Sequence, residues 1–232
     1  MMPAMLLAAG RGERMGPLTD GLPKPLLEVG GRPLIEHQLS RLAAAGVGRA
    51  VINLHHLGGM IRDRLGDGSR FGLEIRYSPE EVLLDTAGGI ARALPLLESD
   101  AFIVANADVW TDFDYASLQA VDGGRRLAHL VLAPNPPADP AGDFFLAADG
   151  RLGGTAAGGG EKFTFAGISV MHRKLFAGLK SGPMSVVPLL RGAMARGLVG
   201  GELYDGDWMD IGTPERLQAL KTRLERAETD LS

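Results

Sequence analysis

The chain has 232 residues, 45% of them hydrophobic, enough to bury one sizeable core in a single domain. A formal net charge of −4 excludes a basic nucleic-acid face, and the lack of cysteine excludes disulfides and thiolate metal centres. No apolar run reaches the ~20 residues that span a bilayer, and MMPAMLLAAG lacks the basic start of a signal peptide. The expectation is a cytoplasmic protein with no membrane, nucleic-acid or partner-protein contact.

In chain order, AMLLAA (4–9) reads as a buried strand, and PLIEHQLSRLAAAGV (33–47) as a helix with Pro33 in its first turn. RAVINL (49–54) is a second strand, LGGMIRDRLGDG (57–68) a helix stopped by glycines, and LEIRYS (73–78) a third strand. TAGGIARALPLL (86–97) is a helix and FIVANAD (102–108) a fourth strand. This alternation predicts a parallel sheet with helices on both faces. Beyond it, LAHLVLA (127–133), Phe144 to Ala147 and GISVM (167–171) read as strands. MSVVPLLRGAMARG (184–197) reads as a helix with Pro188 near its start, and ELYDGDWMDIGT (202–213) as a strand ending in a turn. PERLQALKTRLERAE (214–228) is an amphipathic helix with Thr213 at the N-cap and Pro214 at N1.

Between the first strand and the first helix lies a glycine-rich loop, LAAGRGERMGPLTDGLPKPLLEVGGRPLI, from Leu7 to Ile35. It is not a dinucleotide fingerprint, because Met15 stands where the third glycine belongs, nor does the chain contain a Walker A string. Its chemistry is still that of an anion site. Glycines let backbone N–H groups approach a phosphate, and Arg11, Arg14 and Lys24 add positive charge. Pro17, Pro23 and Pro25 are expected to keep this stretch extended, with the last two fixing where Lys24 points.

Two aspartates complete the pattern. Asp108 in ANADVW and Asp210 in WMDIGT each follow a strand, where open α/β sheets bind ligands. Together they could hold one hard divalent cation, Mg²⁺ above all, with phosphates filling its shell. The histidines show no H-x-x-x-H or H-E-x-x-H spacing, so zinc chemistry has no support.

The stretch from Leu7 to Ile35 resembles the signature of sugar-1-phosphate nucleotidyltransferases at almost every position. The resemblance implies a doubly wound, Rossmann-like mixed sheet in one domain spanning 1–232. A nucleotide-binding half lies over about 1–110, and a half carrying a small sugar-binding lobe over about 111–232. It assigns Leu7, Ala9, Gly10, Gly12, Glu13, Arg14, Lys24, Thr86 and Asn106 to the nucleotide. Arg14 and Lys24 are its catalytic cations, and Asp108 and Asp210 its Mg²⁺ ligands. Two positions depart from the pattern: Ala107 and Asp85 stand where the family commonly has glycine, and the former is expected to shift the backbone slightly. Gly88 and Gly89 read equally as close helix–sheet packing.

Segments such as LGDGSRFGLEIRYSPE, ANADVWTDFDY, LAHLVLAPNP and FTFAGISV resemble one branch of that family, which joins UTP to N-acetylmuramic acid 1-phosphate in cell-wall recycling. The usual E-K-P sugar motif is missing, and Asn106, Gly142 and Asp143 are the sugar-side candidates by branch resemblance. Alternatives are a glucose- or mannose-type sugar 1-phosphate or phosphocholine as acceptor. A non-catalytic, nucleotide-sugar-binding regulatory subunit is the reading from a different class.

Overall fold

A computed structural model describes residues 1–121, 125–137, 140–153 and 160–229. The chain runs β1 (Ala4–Leu7), β2 (Glu28–Val29), β3 (Arg32–Pro33), α1 (Leu34–Ala44), β4 (Arg49–Leu54), α2 (Gly58–Leu65) and β5 (Glu74–Pro79). It continues through α3 (Asp85–Leu97), β6 (Ala101–Asn106), β7 (Val109–Thr111), β8 (Ala128–Ala133), β9 (Phe144–Leu146) and β10 (Leu152–Gly153). The last elements are β11 (Glu161–His172), α4 (Val187–Met194), β12 (Val199–Leu203), β13 (Trp208–Asp210) and α5 (Pro214–Thr229).

The parallel strands stand in the order β5–β4–β1–β6. From β1 the chain winds outward through β4 and β5, then returns to β6 on the other side of β1. The carboxyl ends of β1 and β6 therefore flank the switch point, where the loops after them diverge and leave a crevice. Beyond β6 the sheet turns mixed: β11 is antiparallel to β6, β8 antiparallel to β11, and β12 parallel to β8.

Apolar residues alternate along these strands, and each face of the sheet closes its own core. On one face Leu6, Ile52, Ile103 and Ile168 pack under α1 and α2. On the other, Met5, Val51, Val104 and Met171 pack under α3 and α4. Both cores draw on residues before and after 110, so the sheet is one continuous unit. A third, smaller cluster joins Met15, Leu27, Val29 and Leu34 to Ile211, Leu217 and Leu220. Met15 is fully buried there, the physical reason this position is not the fingerprint glycine.

Several sequence expectations need correction. The prolines do not keep the loop extended: Glu13–Thr19 and Lys24–Leu26 are 3-10 turns, with Pro17 and Pro25 inside them. A proline lacks only the N–H that the first residues of such a turn leave unpaired. The expected strand 202–213 is two strands, β12 and β13, separated by a turn and belonging to different sheets. The strand expected at 167–171 extends from Glu161 to His172 and is interrupted by a bulge between Phe165 and Ile168. The helix expected over 184–197 is confined to Val187–Met194, with Pro188 in its first turn.

Candidate active site

The loop after β1 folds back so that its cations face the end of β6. Gly12 adopts φ +68, and a side chain there would lie 3.1 Å from both Lys24 Cβ and Thr19 Cγ2. Gly16 (φ 55, ψ −137) breaks the following turn, and the Thr19 hydroxyl donates to the Gly12 carbonyl at 3.1 Å. The extended Pro23 leads into the turn that begins at Lys24, whose carbonyl accepts from the Leu27 N–H at 3.0 Å. The Lys24 stem is thereby packed, and the residue is only 8% exposed.

Lys24 Nζ lies 2.5 Å from Asp108 Oδ2. Asp108 occupies the turn between β6 and β7, two residues past the end of β6. Its neighbour Ala107 is fully buried and donates its N–H to the Leu7 carbonyl at 3.1 Å. Among the described non-glycine residues only Leu57, Asp85 and Glu98 have positive φ, so Ala107 sits without strain in the place of the family's glycine. The expected backbone shift has no cause here.

β13 pairs with β7 antiparallel, setting Asp210 opposite Val109, and the Ile211 N–H donates to the Asp108 carbonyl at 3.1 Å. That ribbon brings together two carboxylates separated by about a hundred residues of chain. Burial pushes the Asp210 carboxyl up, and the charge of Asp108 adds to the rise. Gly212 leaves room at their side: a Cβ on it would meet Asp210 Oδ2 at 2.9 Å and Arg14 Nη2 at 3.2 Å. Arg14, Lys24, Asp108 and Asp210 thus converge as expected.

Arg14, Lys24 and Asp108 open onto a cavity of about 380 Å³, whose lining does not include Asp210. Of the residues assigned to the nucleotide, Leu7, Gly10, Gly12, Glu13, Arg14 and Lys24 line it, together with Arg11, Leu83, Asp108 and Gly212. Ala9, Thr86 and Asn106 do not. Thr86 is turned onto Asp85, whose Oδ1 accepts the Thr86 N–H at 2.5 Å. Asp85 has φ 57, so it keeps the left-handed backbone that glycine would supply. Asn106 lies against Gly167, where a Cβ would come 2.7 Å from its Nδ2. Gly142 (φ +62) packs on Asn135, and Asp143 Oδ2 accepts the Phe165 N–H at 2.8 Å. These two sugar-side candidates are tied to β11 and are not among the residues lining this cavity.

Sequence reasoning missed the groups that hold the site in place. Gln38, 1% exposed, donates to the Val109 carbonyl at 2.5 Å and accepts from the Tyr115 hydroxyl at 2.5 Å, which fixes β7 and hence Asp108. Asn53 accepts the Ala8 N–H at 2.8 Å and donates to Glu80 at 2.8 Å, which anchors the end of β1. Glu80 in turn accepts the Leu84 N–H at 2.9 Å. Gly89 makes room for that pair, since a Cβ would lie 2.7 Å from Glu80 Oε1, and Gly88 makes room for the Gly182 carbonyl. Arg216 donates to Asp210 Oδ2 at 2.9 Å. No motif marks any of these residues. The only available signal is that polar side chains sit inside otherwise apolar strand and helix patterns.

The profile of the nucleotidyl transferase family matches residues 3–138. This chain belongs to that family. Within this family of nucleotidyl transferases it is 48% identical over 222 residues to an N-acetylmuramate alpha-1-phosphate uridylyltransferase of Neisseria meningitidis, covering 94% of this chain and 96% of that one. It is 38% identical over 235 residues to a protein of the same name from Caulobacter vibrioides, covering 97% of each chain. The fold matches that of HddC from Yersinia pseudotuberculosis with a TM-score of 0.81 at 20% identity, over 97% of this chain and 100% of that one. Among the described residues no helix is long and apolar enough to cross a membrane.

Proposed function

We propose that this chain transfers the uridylyl group of UTP to N-acetylmuramic acid α-1-phosphate, giving UDP-N-acetylmuramic acid and pyrophosphate. The setting would be the cytoplasm and the purpose cell-wall recycling. The observation that carries the reading is the nearly full-length likeness to two uridylyltransferases of that specificity. The converging Arg14, Lys24, Asp108 and Asp210 supply the chemistry.

In the reaction an acceptor phosphate oxygen forms a bond to the α-phosphorus while the bond to the β-phosphate breaks. Pyrophosphate leaves with the electron pair. The acceptor is already ionised at neutral pH, so no general base is required. The difficulty is to align two anions that repel each other, which positioned cations overcome. Glycine-loop N–H groups and Arg14 hold the triphosphate in this reading. Lys24 is ion-paired with Asp108, and a phosphate entering the cavity competes for its ammonium.

Asp108 and Asp210 form an all-oxygen donor pair on neighbouring strand ends. Among the described residues no group of three or more histidine, aspartate and glutamate side chains gathers into a metal cage. The Asp108–Asp210 pair fits Mg²⁺, which takes one or two carboxylates and completes its shell with phosphate and water. Bound there, it supplies neutralisation of the charge that develops on the phosphates.

Pyrophosphate release by the purified protein, measured for a panel of sugar 1-phosphates against UTP, dTTP, GTP and CTP, tests the reading. The expected result is fastest turnover with UTP and N-acetylmuramic acid α-1-phosphate, abolished by chelation and restored by Mg²⁺. Equal rates with glucose 1-phosphate, or a preference for another triphosphate, would move the chain to a different branch.

A further inference from the structure

A second cavity, of about 610 Å³, counts Asp210 among its lining residues. Its walls are largely apolar: Pro134, Pro136 and Pro137 after β8, Trp208 and Met209 from β13, and Ala219 of α5. It also shares Asn135 with the packing of Gly142, so it borders the segment assigned to the sugar by resemblance. Trp208 is fixed by an indole N–H bond to the Ala166 carbonyl at 2.8 Å, and an aromatic wall of this kind suits the C–H face of a pyranose. Asp210 lines this cavity and also stands beside Asp108 and Arg14, which line the first, so the two cavities meet around this aspartate.

Arg216 is the only cation among the described residues lining this cavity. Its Nη1 is committed to Asp210, donating to the carbonyl at 3.3 Å and to Oδ2 at 2.9 Å. Its Nε and Nη2 have no protein partner among the described residues. These two atoms form the side-on edge of the guanidinium, which matches a carboxylate in a two-bond fork. The other carboxylate at the rim, Glu215, is drawn down in pKa by a hydrogen bond with Thr213. The bond to Asp210 pins one edge of Arg216 and leaves the other presented.

We infer that this cavity is the acceptor-sugar subsite and that Arg216 is its specificity-determining residue, reading a carboxylate on the sugar through its free edge. The inference rests on the function proposed above, whose acceptor differs from N-acetylglucosamine 1-phosphate by one lactyl ether carrying a carboxylate. A site without a cation would repel that group, because the acceptor already brings a phosphate toward Asp108 and Asp210.

The test compares N-acetylmuramic acid α-1-phosphate with N-acetylglucosamine 1-phosphate in the wild type, Arg216→Gln and Arg216→Lys, at saturating UTP. Losing one charge-assisted fork should lower the ratio of kcat/KM between the two acceptors by roughly ten- to a hundred-fold in Arg216→Gln. Arg216→Lys, which keeps the charge and loses the planar fork, should fall between. Calorimetric affinities for the two UDP-sugars should show the same change in ratio. A purely structural role would lower both acceptors together and leave the ratio unchanged, and that result overturns the assignment of Arg216. A wild-type enzyme indifferent to the lactyl group overturns this inference and the proposed function together. Wild-type discrimination that survives in Arg216→Gln overturns the inference alone.

Discussion

Lys24 and Asp108 stand 2.5 Å apart, so the cation proposed to meet a phosphate rests on a carboxylate proposed to hold the metal. Lys24→Met keeps the packed stem and removes the charge. Turnover should fall roughly ten- to a few hundred-fold, the value of one charge-assisted phosphate contact, with UTP affinity little changed. Lys24→Arg should not restore the rate, because the wider planar guanidinium cannot occupy the point where the ammonium meets Asp108. Steady-state rates beside UTP calorimetry decide it, and unchanged kcat in Lys24→Met would remove the lysine from the chemistry.

Asp108→Asn and Asp210→Asn should each lower turnover by orders of magnitude at ordinary Mg²⁺ while the far-ultraviolet circular dichroism stays as in the wild type. Both residues lie in turns or at a strand end, outside the three apolar clusters. Mn²⁺ binding in the presence of UTP, followed by electron paramagnetic resonance, should weaken in both variants. Undiminished Mn²⁺ affinity in either would exclude that aspartate as a ligand.

Gly89→Ala separates local propensity from packing. In an open helix the change gains about 1 kcal/mol. Here the added methyl would sit 2.7 Å from Glu80 Oε1 and 2.9 Å from Asn53 Nδ2, so the variant should be less stable by about 1–3 kcal/mol. The Ala8 N–H would lose its Asn53 partner in the process, and activity should drop with stability. Urea denaturation reads the sign directly, and a stabilised variant would show that the helix can shift away from β4.

Glu36, buried, accepts from Arg64 and Arg70 at 2.7 Å each. Burial alone would raise its pKa, but the two arginines outweigh it and hold the carboxyl below its ordinary value of 4.5. A depressed carboxyl stabilises the fold fully above its unfolded pKa, and the contribution is lost as pH falls through the folded one. Glu36→Gln should therefore cost about 1–2 kcal/mol at pH 7, since both arginines are half exposed and screened. The gap between variant and wild type should begin to close near pH 4.5 and shrink further below it. A gap independent of pH would mean the side chain acts by shape alone.

The parallel half of the sheet was legible because its strands are short apolar runs between amphipathic helices, each readable within a dozen residues. The glycine-rich loop was legible for a different reason: its glycines and cations are contiguous. What escaped depends on distant partners. β12 hides behind Gly200 and Gly201, where a side chain on Gly201 would strike the Leu130 carbonyl at 2.8 Å, so close approach outranks strand propensity. The upper part of β11 is a strand only because β9 pairs with it. Gln38 is one polar residue on an otherwise ordinary helix, and nothing near it in sequence shows that it reaches Val109.

β13 docks on β7, and α5 packs against β2 and the Glu13–Thr19 turn. The third apolar cluster ties Met15 to Leu217 and Leu220 across this closure. A chain emerging from the ribosome can lay down β1, its glycine loop and Asp108 early, but their second carboxylate is about a hundred residues behind. Until Trp208–Asp210 and the helix after it are free to fold back, the nascent protein lacks the second of the two aspartates proposed to hold the metal, and on that proposal it should not turn over nucleotide. On that proposal the site is completed only when the segment after β12 closes over the loop that follows β1.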